Sequence, residues 1–169
     1  MHSGLFFVLD VESIGLYGEG FAAGFCVVNI NSVEVQSGLY SCDPGKADGG
    51  AEGRLWVSNN VPQLVHNERN PYEVRRQISE KIEYWKKWGA IICADCSWPV
   101  EANFLLQCVS DKLLSGVYQF HDIASIMLAK GMDPTATYDR KPTELPVHNP
   151  LCDARQSARL LIEALRNDK

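Results

Sequence analysis

The sequence predicts an α/β fold in which a mixed sheet, beginning with an antiparallel meander, is flanked by helices. Three observations carry that expectation. The first 40 residues hold three runs of apolar, aromatic and β-branched residues separated by turns rich in glycine and asparagine. Two later segments, 71–88 and 153–166, repeat apolar residues every three or four positions, the spacing of a helix face. Between them the short run AIICA, 90–94, reads as a buried strand.

Taken in order, Leu5 to Val11 (LFFVLDV) is the first strand. Gly15, Gly18, Gly20 and Gly24 flank a turn, and strands follow over Phe25 to Ile30 and Val33 to Tyr40, with Asn29, Asn31 and Ser32 turning the chain between them. Asp43 to Gly53 is loop by composition. The helix from Pro71 to Trp88 presents Val74, Ile78, Ile82 and Trp85 on one face, and Gly89 is its C-terminal stop. After the strand at 90–94, Pro99 opens a helix reaching Lys112. Val117 to Phe120 is a short strand leading to His121 and Asp122, and IASIMLAKG is helix-like. The polar stretch 133–146, with Pro134, Pro142 and Pro146, is a loop or lid. Asp153 opens a last helix whose stripe is Ala154, Ala158, Leu161, Ile162 and Leu165.

A chain of 169 residues suits one domain spanning 1–169. Its 16 Lys and Arg against 21 Asp and Glu leave a formal charge of −5, which argues against a long nonspecific duplex footprint built on phosphate contacts. No run approaches the roughly 18 apolar residues of a membrane helix. The opening MHSGLFFVLDVESIG lacks the basic and long apolar parts of a secretory signal, so a cytoplasmic location and no membrane partner are expected. The six cysteines are expected to be free thiols, and Cys93 and Cys96 have no second ligand pair with which to hold zinc.

Three segments carry the candidate chemistry. Asp10 and Glu12 lie two apart on a strand, so their carboxylates share a face. Such charges need a counter-ion, because desolvating them alone is costly. In ICADCSWPVEANFL, Asp95 ends a strand and Glu101 falls in the first turn of the following helix. In HNPLCDA, His148 lies in a loop that Pro150 keeps extended, five residues ahead of Asp153. Together they form a hard, oxygen-rich ligand set suited to Mg²⁺ or Mn²⁺.

FFVLDVE, a central acid ahead of FL, and HNPLCDA closing on an alanine-bearing helix resemble the DEDDh class of 3′ to 5′ exonucleases, over Leu5 to about Leu165. The resemblance implies a ribonuclease H-like fold and two Mg²⁺ or Mn²⁺ ions clamping the scissile phosphate. It implies metal ligands at Asp10, Glu12 and Asp153, and a general base at His148 that takes the proton of the attacking water. The middle acid departs from the pattern. Glu101 holds the register ahead of FL, whereas the aspartate, Asp95, lies six residues earlier. Residue type and position at the strand end favour Asp95, with Glu101 the alternative.

The implied products are nucleoside 5′-monophosphates, released from the 3′ ends of single-stranded or short DNA or RNA. Phe21, Trp56, Trp98 and Tyr138 are candidates for stacking on bases, Trp98 foremost because it lies between Asp95 and Glu101, and Arg140 and Lys141 are candidates for meeting phosphates. Tyr84, Trp85 and Trp88 suggest a homodimer surface. The rival readings are a noncatalytic interaction module retaining the nuclease fold and a proofreading subunit dependent on a polymerase.

Overall fold

A computed structural model describes residues 4–115 and 119–167. Its strands are β1 (Leu5–Ser13), β2 (Gly20–Asn29), β3 (Glu34–Ser41), β4 (Ile91–Ala94) and β5 (Phe120–Asp122). The helices are α1 (Ala51–Asn60), α2 (Pro71–Lys87), α3 (Val100–Ser110), α4 (Ile123–Ala129) and α5 (Pro150–Arg166). Sheet order is β3-β2-β1-β4-β5. The first three strands form the expected antiparallel meander, and β4 and β5 add in parallel beside β1. Helices cover both faces, a ribonuclease H-like arrangement.

Strand alternation divides the core. Phe7, Leu9 and Val11 of β1 point to one face, where α2 supplies Val74, Ile78 and Ile82 and α3 supplies Phe104 and Cys108. Phe6 and Val8 point to the other, against Ala154, Ala158, Leu161 and Ile162 of α5 and Ile123 and Met127 of α4. The predicted α5 stripe is therefore a true core face, with Leu165 packed at its edge. Among the described residues no helix is long and apolar enough to cross a membrane. All six cysteines are free thiols, with Cys96 alone exposed.

Several boundaries differ from the sequence reading for identifiable reasons. β1 continues through Asp10 and Glu12 to Ser13, because pairing with β2 persists as far as Ser13 opposite Gly20. β2 begins five residues earlier than expected, so Gly20 and Gly24 lie inside a strand instead of a turn. Residues 51–53, read as loop, begin α1, which buries Val57 alone and so shows little apolar periodicity. Pro99 is the N-cap of α3 and Val100 its first residue. Of the strand expected at 117–120, Val117 and Tyr118 lie outside the described residues, and β5 occupies Phe120–Asp122. Asn149, not Asp153, caps α5 by accepting the Leu151 and Cys152 N–H groups, which places Asp153 in the first turn.

The α2 reading holds closely. Asn70 caps it through the Glu73 N–H, Pro71 leads it, and Gly89 takes φ +76° just beyond its end. Trp85 is buried, with its Nε1–H donating to Gln36 at 2.8 Å, which leaves Tyr84 and the C-cap residue Trp88 as the exposed members of the aromatic trio.

Candidate metal and nucleic-acid site

The site lies where β1 outruns β4. Parallel pairing ends with Leu9 opposite Ala94, so Asp10 of β1 and Asp95, the residue after β4, stand side by side past the last strand pair. Asp10 and Glu12 continue the Phe6–Val8 stripe toward α5, whose first turn brings Asp153 over them. Gly24 pairs with Asp10 on β2, and the backbone of Pro150 and Leu151 occupies the space a side chain there would need. The missing side chain is what lets α5 approach the acids so closely.

Beyond the end of β4, the Val11 N–H donates to Glu101 Oε1 at 3.2 Å. Glu101, in the first turn of α3, is buried there, close enough to Asp10 and Glu12 to act on both by charge. Asp95 stands more exposed at the mouth of the group, near enough to Asp122 and Asp153 to feel their charges. His148 Nδ1 lies 3.5 Å from Glu12 Oε1. Its backbone takes φ +59°, a left-handed conformation instead of the extended one expected ahead of Pro150. The Trp56 ring of α1 packs edge-on against the His148 ring with centroids 5.1 Å apart.

Crowding of carboxylates is legible in their acidities. Burial first, then the charges of Glu101, Asp153, Glu12 and Asp95, raise the Asp10 carboxyl well above its ordinary range. Burial followed by Asp153 and Glu101 lifts Glu12 to about 8. Glu101 is lifted to about 7 by burial, against the hydrogen bonds it accepts and with Asp95 adding to the rise. Asp95 is raised by loss of surrounding water and then by Asp122 and Asp153, with Arg140 opposing. Asp153 rises through burial although Arg140 and His148 pull the other way. Ionised together these acids would carry excess negative charge, and a divalent cation is the counter-ion their hard oxygens suit in place of the protons they otherwise retain. One ligand atom from each of Glu12, His148 and Asp153 falls within 4.8 Å of the others, a spacing that fits a single ion.

Beside Glu12 opens a cavity of about 510 Å³ lined by Val11, Ser13, Leu16, Tyr17, Glu52 and Trp56 among others. Leu16 and Tyr17 stand 61% and 75% exposed on its rim. Sequence reasoning singled out Trp56 but missed Leu16, Tyr17 and Glu52. Two large apolar residues four and five positions after Glu12, between Gly15 and Gly18, were the available signal.

The other stacking candidates divide. Trp98 is exposed beside the site, Phe21 belongs to the core, and Tyr138 packs against the α5 face with its hydroxyl donating to the Asp133 carbonyl. Arg140 reaches the site and forms an ion pair with Asp153. Lys141 lies next to it on the surface, where its backbone N–H donates to Glu144.

The chain matches no family model and no curated protein sequence. Among solved structures it is similar to one described as exonuclease X in complex with 5′ overhanging duplex DNA. The TM-score is 0.52 at 14% identity, covering 96% of this chain and 92% of that one. That likeness, spread over nearly the whole of both chains, is a likeness of fold.

Proposed function

We propose that the protein is a divalent-cation-dependent 3′ to 5′ exonuclease acting on single-stranded or short DNA or RNA. The observation that carries this reading is the convergence of Asp10, Glu12, Glu101 and Asp153, from β1, α3 and α5, on one acidic group with His148 at its edge. Asp10, Glu12, His148 and Asp153 match the exonuclease pattern noted in the sequence, with Glu101 standing where that pattern has an aspartate, and the structurally similar exonuclease X was captured on DNA.

Asp10, Glu12 and Asp153 would hold two Mg²⁺ or Mn²⁺ ions, with Glu101 the better placed middle acid because it is buried and bonded to the β1 backbone at Val11, while Asp95 is the more exposed of the two. Bound there, the cations supply the positive charge that lets a phosphodiester approach the carboxylates and that stabilises charge on the leaving oxygen. Trp56 and Glu12 fix the His148 ring from two sides. His148 accepts the proton of the attacking water, whose oxygen bonds to phosphorus as the bond to the 3′ oxygen of the preceding nucleotide breaks. That oxygen takes a proton from solvent, leaving a shortened chain and a nucleoside 5′-monophosphate. Leu16, Tyr17 and Trp56 offer the terminal base an apolar seat in the adjoining cavity.

The test is incubation of the purified chain with Mn²⁺ or Mg²⁺ and short 5′-labelled DNA and RNA oligonucleotides. Stepwise shortening from the 3′ end with release of 5′-monophosphates is expected, and Asp10→Asn should abolish it with the fold intact. Absence of mononucleotide release with either cation and both nucleic acids would overturn the reading.

A further inference from the structure

The segment between α4 and α5 delivers a positive charge into the acidic group. Arg140 Nη1 donates to Asp153 Oδ1, with the two side chains 20% and 13% exposed. The same nitrogen donates to the Glu144 carbonyl at 2.8 Å. Glu144 is itself fixed: its side chain, 3% exposed, accepts Arg159 Nε at 2.8 Å and Nη2 at 2.9 Å, and the Lys141 N–H at 3.0 Å. Arg159 sits on the rigid α5, so its grip on Glu144 braces the backbone that holds Arg140. Among the described residues, Arg140 is the one Lys or Arg that forms an ion pair with any of Asp10, Glu12, Asp95, Glu101 or Asp153.

Two consequences follow. An oxygen of Asp153 needed for a cation is engaged by a guanidinium whose charge opposes a second cation nearby. A guanidinium is also the side chain best matched to a phosphodiester, which offers paired oxygens to its planar fork. Resting on the nuclease reading, we propose that Arg140 exchanges partners. It neutralises Asp153 when the site is empty and moves to a phosphate of the bound nucleic acid, so that phosphate binding frees Asp153 and strengthens cation binding. Arg140 is then a positioning residue that links substrate to metal loading.

The experiment is titration of Mn²⁺ into the protein, followed by electron paramagnetic resonance of the free ion, with and without thymidine or uridine 5′-monophosphate. For the wild type, nucleotide should tighten Mn²⁺ binding about fivefold. Arg140→Met should bind Mn²⁺ about fivefold more tightly without nucleotide, and nucleotide should then add less than in the wild type, only the share that direct contact between cation and phosphate contributes. Arg140→Lys keeps the charge but not the fork, and should hold Mn²⁺ affinity near that of the wild type while losing most of the nucleotide effect. If Arg140→Met is unfolded by circular dichroism, Arg140→Lys decides alone. Variants with unchanged Mn²⁺ affinity and an unchanged nucleotide effect would overturn the exchange while leaving the nuclease reading standing. A wild type that neither binds Mn²⁺ nor releases mononucleotides would sink both.

Discussion

The Val11 N–H and the Glu101 carboxylate meet at 3.2 Å, joining β1 to the first turn of α3 between the two β1 acids. This bond gives Glu101 two separable roles, because an amide oxygen accepts a backbone N–H as a carboxylate does but offers a cation no negative charge. Glu101→Gln should therefore melt within a degree or two of the wild type yet lose turnover by about 100-fold. Asp95→Asn, at the exposed mouth, should cost about tenfold or less. Single-turnover assays of both variants beside thermal melts would measure the difference. A reversal of the two losses would make Asp95 the middle ligand.

That middle acid marks where sequence reasoning stops. Asp10 and Glu12 were legible because a strand has a strict period of two, and the helix bearing Asp153 because its apolar stripe repeats every three or four residues, although it starts at Pro150, three residues earlier than read. Choosing between Asp95 and Glu101 depends on how far β1 runs past the end of β4, a tertiary quantity with no local pattern. α1 was missed for a related reason: it buries Val57 alone, so its amphipathic signal is weak, yet it carries the Trp56 that packs on His148. The left-handed backbone of His148 and the ion pair of Arg140 with Asp153 are likewise products of loop packing, which residue spacing does not encode.

Glu12 makes the metal-free protein sensitive to alkali. Its carboxyl is lifted from 4.5 to about 8 by burial and by Asp153 and Glu101, so the folded chain retains a proton that the unfolded chain has released. An acid with a raised folded pKa contributes stability below its unfolded value and loses it as pH rises through the folded one. The metal-free wild type should thus lose stability from about pH 4.5 to pH 8 through this group. Glu12→Gln, a mimic of the protonated acid, should leave the melting temperature nearly unchanged at pH 5 and raise it by several degrees at pH 8.5. Calorimetry in a chelating buffer at those two values tests the sign, and an equal shift at both would refute it.

His148 separates proton transfer from ligation. Its Nδ1 is 3.5 Å from Glu12, and its ring also falls in the group of atoms that fits one cation. As a general base it should affect the chemical step alone. His148→Ala should lower kcat by about 100-fold or more while Mn²⁺ affinity stays within about twofold of the wild type. A matching loss of Mn²⁺ affinity would assign the imidazole to the metal instead.

Gly24 ties stability to the geometry of the acids. It pairs with Asp10 across β1 and β2, and a methyl group added there would run into the backbone at Pro150 and Leu151. The first turn of α5 is backbone pinned by the Asn149 cap and by Ala154 and Ala158 packed on the sheet, so it has little room to yield. Overpacking of this kind costs about 1–3 kcal/mol. Gly24→Ala should lower the melting temperature accordingly, and should weaken Mn²⁺ binding because Asp153 moves outward with the helix. Ala23→Val, a neighbouring enlargement on the opposite face of the same strand, should cost stability without that loss of affinity, since Ala23 packs toward the α2 and α3 core. Equal Mn²⁺ affinities in the two variants would show that α5 does not set the position of Asp153.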